Sequence, residues 1–373
     1  MLIGIDASRT TTGRRTGTEA YARFLIQALI PLAGAAGHQL RLYFNQTPPA
    51  GLFPDSQAVE IRVIPFPRLW THLRLAAELQ RQSPDVFFTP AHVIPFSYFG
   101  PSVATVHDLG YLAFPEAHTG RQLAYLRWST AHNARRGRLV VADSEATKHD
   151  LIEHYQVDAT KIDVIYPGID PSLAPVTDEA ELRRVAEKYG VQRPYLLAIG
   201  TLQPRKNLAR LIEAHAESGV AAQLVLAGKP GWRSEPILSA VEQYRRTLTG
   251  GRSSIILPGF VADEDKAALI SGAEALLFPS LYEGFGFPVL EGNACGTPVL
   301  AANSSSLPEI AGDAALLVDP LQLDDIAAGI TIITTDQATR QRLQTAGLAN
   351  IERFSWTEAA GQLLETLVRV ASQ

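Results

Sequence analysis

The sequence predicts an α/β protein made of two Rossmann-like, doubly wound parallel-sheet domains in succession. Three observations lead there. The 373 residues exceed one ordinary core and suit two domains of roughly 150–200 residues. Short apolar runs alternate with longer amphipathic stretches, the rhythm of a parallel sheet covered by helices. That rhythm runs twice, broken by a Pro- and Asp-bearing stretch, Asp170–Asp178, that reads as a connection.

In the first half the expected strands are Leu2–Ile5, Gln39–Phe44, Glu60–Ile64, Val86–Thr89, Ser102–Val106 and Leu139–Asp143. Helical patterns fall near Glu19–Leu32, Leu69–Arg81, Arg121–Arg136 and Glu145–Tyr155. The second series begins at Tyr195–Ile199. It continues through Gln223–Ala227, Ser254–Leu257, Ala275–Phe278, Pro298–Ala301 and Ala315–Val318. The expected organisation is therefore a domain over 1–170, a linker over 171–190 and a second domain over 191–355. The closing helical stretch, 356–373, is placed to fold back onto the first. Doubly wound sheets bind ligands beyond the carboxyl ends of their strands, so strand-end loops carry the most weight, and the active site is expected between the domains.

Composition narrows the function classes. With 46% hydrophobic and 19% charged residues the chain is a packed protein, not a disordered one. A formal charge of −5 argues against general nucleic-acid binding. The acid surplus lies in residues 171–373, which makes the N-terminal half the one suited to an anionic acceptor or membrane surface. The single cysteine, Cys295, excludes an intrachain disulfide and reads as a small buried residue. Met1–Asp6 lacks the basic and long apolar regions of a signal peptide, and no apolar run reaches about 18 residues. A cytoplasmic protein is expected, with peripheral contact at the inner membrane face left open.

The strongest local signal is Pro279-Ser-Leu-Tyr-Glu283-Gly-Phe-Gly-Phe-Pro-Val-Leu-Glu291, followed by Ala294-Cys-Gly-Thr-Pro298. It places a permissive glycine loop, Gly284 and Gly286, between a strand end and a helix start marked by Pro288. The first N–H groups of that helix favour an anion. Glu291, one turn in, is placed to accept bonds from a ribose diol, and Glu283, across the loop, from sugar hydroxyls. The second signal is Ile199-Gly-Thr-Leu-Gln-Pro-Arg205-Lys206-Asn207, again directly after a strand. Loss of a nucleoside diphosphate builds negative charge that fixed cations can neutralise. Arg205 offers a bidentate grip and Lys206 a point charge.

These motifs together resemble the retaining glycosyltransferases of family 4, which have the GT-B fold, and the resemblance covers most of the chain. It implies a donor held mainly by the second domain. Glu283 would touch the transferred sugar, Arg205 and Lys206 the diphosphate, and Glu291 the ribose. Backbone groups of Phe285, Gly286, Phe287, Val289 and Leu290 would cradle sugar and phosphate. The stretch Leu257-Pro-Gly-Phe260-Val261 matches the segment that holds the base, and Gly200 and Thr201 open the cation loop. Many members carry Arg at the position of Thr201, so Arg205 has to substitute for it. In the first half, His107 of Ala104-Thr-Val-His107-Asp108 matches a family histidine that reaches toward the transferred sugar or acceptor. Gly13, Gly17 and Thr18 match a glycine-rich loop that closes over phosphates or acceptor. Ala142-Asp-Ser144 also resembles the family, although helix capping explains Ser144 equally well.

The resemblance implies a retaining hexosyl transfer from a nucleotide-diphosphate sugar, with GDP-mannose the expected donor and a hydroxyl of a glycan or lipid-linked acceptor as target. No protein nucleophile is evident, so the expected route is front-side displacement. No cofactor or metal is expected, because Asp263-Glu-Asp265 reads as a helix start and the histidines lack zinc spacing. A NAD site would need Gly-x-Gly-x-x-Gly after a first strand and a nucleotidase a P-loop, and neither is present. The remaining alternatives are a sugar-nucleotide 2-epimerase of the same architecture and a non-catalytic sugar-nucleotide-binding protein. Two basic–aromatic stretches, Pro67–Arg74 and Arg121–Arg138, read either as solvated helices or as elements lying on a lipid surface or flanking a lipid-diphosphate acceptor.

Overall fold

The computed structural model describes residues 1–11, 17–66, 68–91, 93–247 and 255–373, with backbone alone at 246 and 247. The chain divides into two units, Met1–Gly168 with Phe354–Gln373, and Ile169–Arg353.

The first unit carries seven strands: β1 (Leu2–Asp6), β2 (Gln39–Phe44), β3 (Val59–Val63), β4 (Val86–Thr89), β5 (Ser102–Val106), β6 (Leu139–Ala142) and β7 (Ile162–Val164). They form one parallel sheet in the order β3-β2-β1-β4-β5-β6-β7. β4, β5 and β6 are buried at every position, as strands covered on both faces must be. The closing helix, Trp356–Ala371, belongs to this unit. Its Ala360, Leu363 and Leu367 join the core of the Gly17–Ala35 helix, and its Thr366 donates to Asp163 at 2.6 Å.

The second unit carries β8 (Tyr195–Ile199), β9 (Gln223–Ala227), β10 (Ile255–Gly259), β11 (Ala275–Phe278), β12 (Val299–Ala302) and β13 (Leu316–Val318). They form a parallel sheet in the order β10-β9-β8-β11-β12-β13. Strand order reverses between β8 and β11, so the loops that leave these two strands flank the switch point where doubly wound sheets bind ligands.

Three expectations need correcting. β7 has no counterpart among the expected strands, because three residues at a sheet edge leave too short an apolar run to see. The stretch 171–190 is not a bare linker. Asp178 caps a helix, Glu179–Lys188, whose Leu182, Val185 and Ala186 are buried in the second unit. Asp265 is more than an acid near a helix start. It is fully buried on the helix Asp263–Ser271 and accepts from Arg184 (2.9 Å), Lys188 (2.5 Å) and Tyr189 (2.8 Å), which fastens the two helices together. Gly13, Pro67 and Ser254, all named in the sequence reading, lie outside the described residues.

Candidate active site

The loop after β8 turns through a short 3-10 segment, Pro204–Lys206, and ends at Asn207, whose backbone is left-handed (φ 58°). Asn207 tolerates that conformation, and its amide donates to the carbonyls of Pro279 (3.1 Å) and Pro320 (2.7 Å). Leu281 N–H donates in turn to the Arg205 carbonyl at 2.9 Å. Residues 72 or more apart in sequence are thus laced together across the switch point. Close backbone approach is needed alongside: a Cβ on Gly228 would stand 1.8 Å from the Gly200 carbonyl oxygen.

At the centre, Glu283 accepts from Lys206 Nζ at 2.7 Å and lies 2.5 Å from Arg205 Nη1. Arg205 also donates to the Tyr282 carbonyl at 2.6 Å, and the Lys206 ammonium sits 4.4 Å over the Phe278 ring. All three side chains are largely buried. Burial pushes the Glu283 carboxyl up, but Lys206 and Arg205 outweigh it and hold it at about 2. Burial lowers Lys206, with Glu283 offsetting part of the drop. Glu283 is therefore a carboxylate at neutral pH, an acceptor of hydrogen bonds and not a proton donor. Two cations share its single charge, so the cluster keeps one net positive charge.

Gly286, with φ 119°, precedes the helix Phe287–Ala294, which has Pro288 in its first turn and no side-chain cap. A Cβ at Gly286 would meet Leu307 at 2.7 Å. Val289 and Leu290 are fully buried, so only their backbone can face a ligand, while Phe285 is buried against Phe287 at 5.0 Å. Glu291 pairs with Lys266 at 2.5 Å, and its charge is felt at Lys206. Phe260 is half exposed, its ring 4.7 Å from the Lys229 ammonium, whereas Val261 is buried. Thr201 is exposed.

Sequence reading missed three contributors. Ser305 accepts from Glu283 N–H (2.9 Å), and Ser306 donates to the carbonyls of Glu283 (2.9 Å) and Phe285 (2.7 Å). Lys266 is the third. The signals were available: a serine run directly after β12 and a lysine just behind the base segment.

The expected roles fare differently in the first unit. His107 follows β5 with both ring nitrogens committed, Nδ1 to Asp143 at 2.6 Å and Nε2 to the Pro90 carbonyl at 2.8 Å. This corrects the expectation of a histidine reaching for substrate: its neighbours inside the unit take both polar edges. A carbonyl only accepts, so Nε2 carries a proton, and Asp143 shares the second. Burial alone would lower His107, but Asp143 and the Pro90 carbonyl raise it, while Asp143 is raised chiefly by burial. Tyr21 stands edge-on to the imidazole at 4.7 Å. Asp6 Oδ2, Thr89 Oγ1 and Asp143 Oδ1 are buried without a hydrogen-bond partner among the described residues. All three lie at or just beyond the carboxyl ends of β1, β4 and β6. Gly17 and Thr18 open the Gly17–Ala35 helix near this edge.

Comparison with known proteins decides the family. The "Glycosyltransferase Family 4" model matches residues 15–173 and the "Glycosyl transferases group 1" model residues 179–349. O-antigen chain mannosyltransferase B of Escherichia coli is 32% identical over 268 residues, which cover 70% of this chain and 69% of that protein. The chain belongs to glycosyltransferase family 4. It is also 29% identical over 288 residues to the serotype-specific mannosyltransferase WbdA of Escherichia coli, spanning 75% of this chain but only 34% of that protein. As a family 4 enzyme its architecture is GT-B. The crystal structure of Anabaena Alr3699/HepE in complex with UDP and glucose superimposes with a TM-score of 0.73 at 22% identity, covering 99% of both chains. The glycosyltransferase thus has its two cations and Glu283 at the switch point of the second sheet, and a His–Asp pair at the carboxyl edge of the first.

Proposed function

We propose that this glycosyltransferase moves mannose from GDP-mannose to a hydroxyl of a glycan or lipid-linked acceptor, with retention and without metal. The carrying observation is the buried cluster of Arg205, Lys206 and Glu283 at the β8–β11 switch point. Its surplus positive charge suits a diphosphate, whose negative charge grows as the C1–O bond breaks. Glu283, ionised at neutral pH, accepts bonds from the sugar hydroxyls and keeps both cations aimed. Each of its oxygens already accepts from one cation, which makes it a poor nucleophile while leaving a lone pair for a sugar hydroxyl. Front-face displacement follows. The acceptor oxygen bonds to C1, the phosphate oxygen leaves from the same face, and that oxygen takes the acceptor's proton. Glu291 holds the ribose with Lys266 fixing its orientation, and the exposed Phe260 ring offers a stacking surface for the base.

The first unit supplies the acceptor side. Unpartnered carboxylate and hydroxyl oxygens on Asp6, Thr89 and Asp143 suit hydroxyl donors, and the proton shared by His107 and Asp143 offsets the charge of Asp143.

The mannosyl donor is favoured by the named activities of the sequence relatives. A UDP-hexose is the second reading, favoured by the UDP and glucose in the structural relative's title. Thermal shift against GDP-mannose, UDP-glucose and UDP-galactose decides between them, since the true donor stabilises the fold in proportion to its affinity. Stabilisation by UDP-sugars alone removes the mannose reading. Turnover that survives EDTA, and a product anomer that keeps the donor's configuration by proton NMR, are the expected results for mechanism. Loss of turnover on chelation, or inversion, ends the respective claim. Donor turnover that needs acceptor separates transfer from epimerisation and from binding alone.

A further inference from the structure

Three segments distant in sequence meet on one face of the first unit. The helix Gly120–Arg136 presents Arg121, Tyr125, Trp128, His132 and Arg136 at intervals of three or four residues, which is a single stripe. Tyr125 packs on Trp128 (5.8 Å), and Trp128 stacks on His132 (5.0 Å). His72, from the turn Thr71–Leu75, approaches Trp128 edge-on at 5.8 Å and accepts from Phe96 N–H at 3.3 Å. Arg136 lies over the Phe99 ring at 3.8 Å. The three segments therefore form one continuous surface.

That surface is unusual in two respects. Leu69, Leu73, Phe96, Phe99, Tyr125 and Trp128 are each between 41% and 75% exposed, a concentration of bare apolar groups that a water-facing surface avoids. The stretches 66–77, 93–100 and 118–138 also contain seven arginines and no Asp or Glu, in a chain whose overall charge is −5. All but Arg136 are exposed, Arg68, Arg74 and Arg121 among them. No described helix is long and apolar enough to cross a bilayer.

We propose that this face docks on an anionic lipid surface, with Leu69, Leu73, Phe96 and Phe99 entering the interface and the arginines pairing with lipid phosphates. Charge and composition favour this occupant. Arginine beside exposed Leu, Phe and Trp is the makeup of an interfacial anchor, in which the charged heads bind anionic headgroups while the rings settle at headgroup depth. A glycan platform would share the aromatic rings. It would also require carboxylates or amides for sugar hydroxyls, and the three stretches carry no carboxylate, while exposed leucines offer a sugar nothing. The inference is independent of donor identity.

The test is co-sedimentation of the full chain with extruded vesicles, either pure phosphatidylcholine or equimolar phosphatidylcholine and phosphatidylglycerol. Binding is expected only to the phosphatidylglycerol vesicles and falls as salt is raised. Removing an arginine costs roughly five-fold in partitioning, so the triple variant Arg68→Ala, Arg74→Ala, Arg121→Ala binds about a hundred-fold more weakly. The triple variant Leu69→Ser, Leu73→Ser, Phe96→Ser loses most of its binding to the phosphatidylglycerol vesicles at low salt. Both variants keep the parent's melting temperature and its turnover on a soluble acceptor, which separates lost docking from lost folding. Equal binding to both vesicle types, no binding at low salt, or full binding by both variants overturns the proposal. Vesicle-free protein in which Trp128→Ala raises the KM of a soluble glycan acceptor overturns it in favour of a sugar platform.

Discussion

Beyond β8 and β11, one buried carboxylate holds two cations; beyond β5 and β6, one buried carboxylate holds a single imidazole and keeps an oxygen unpartnered among the described residues. The two sheets are built by the same rules, parallel and apolar through both faces, yet their carboxyl edges differ in charge. The second unit finishes with surplus positive charge, which suits a leaving diphosphate. The first finishes with one imidazole against the carboxylates of Asp143 and Asp6 and with acceptor oxygens to spare, which suits a hydroxyl. The sheet type thus supplies a place for a ligand, and a few strand-end side chains decide its chemistry.

The comparison can be broken most readily at Glu283. Glu283→Gln leaves Lys206 and Arg205 buried without their counter-charge, and should destabilise the second unit by about 3–5 kcal/mol, measured by urea unfolding. A loss near zero would mean that the cluster is solvated and that the contrast between the edges is not one of buried charge. Lys206→Ala removes a cation from the leaving group and should lower kcat about a hundred- to thousand-fold, with a smaller effect on acceptor KM. An effect confined to acceptor KM would exchange the roles of the two edges. Glu291→Gln should raise donor KM about ten-fold with little change in kcat, since it removes a bond to a part of the donor that does not react.

The smallest expected effect sharpens the contrast through pH. Glu283 is held below its ordinary value, so its stabilisation is present above about 4.5 and is lost as pH falls toward about 2. His107 and Asp143 are both raised, so their pair binds its proton more tightly folded than unfolded. That contribution is complete at low pH and is lost as pH rises through the folded value of His107, above 6.5. Hydrogen exchange followed peptide by peptide should therefore show the second unit loosening first on the acid side and the strand ends of the first on the alkaline side. Asp143→Asn should flatten only the alkaline trend. An unchanged alkaline trend in that variant would remove the pair as its cause.

Much of this was legible in the chain. Four-to-six-residue apolar runs marked most strands to within a residue, because a strand buried on both faces has little freedom in composition. β7 escaped because its three residues gain their regularity from β6 alone. The helix Glu179–Lys188 was read as linker because its polar residues dominate locally, and the partner that orders it, Asp265, is 77 positions beyond Lys188.

The sequence by itself determined the two-sheet architecture and the residue types able to hold a sugar diphosphate, because periodicity and strand-end motifs are local properties. Only the tertiary structure decided that Arg205 and Lys206 meet on Glu283, that Lys266 orients Glu291, and that His107 points inward to Asp143 and Pro90. Each of those pairings joins residues between 17 and 78 positions apart. Strand order brings such groups together, and no local pattern encodes the burial that then fixes their charge.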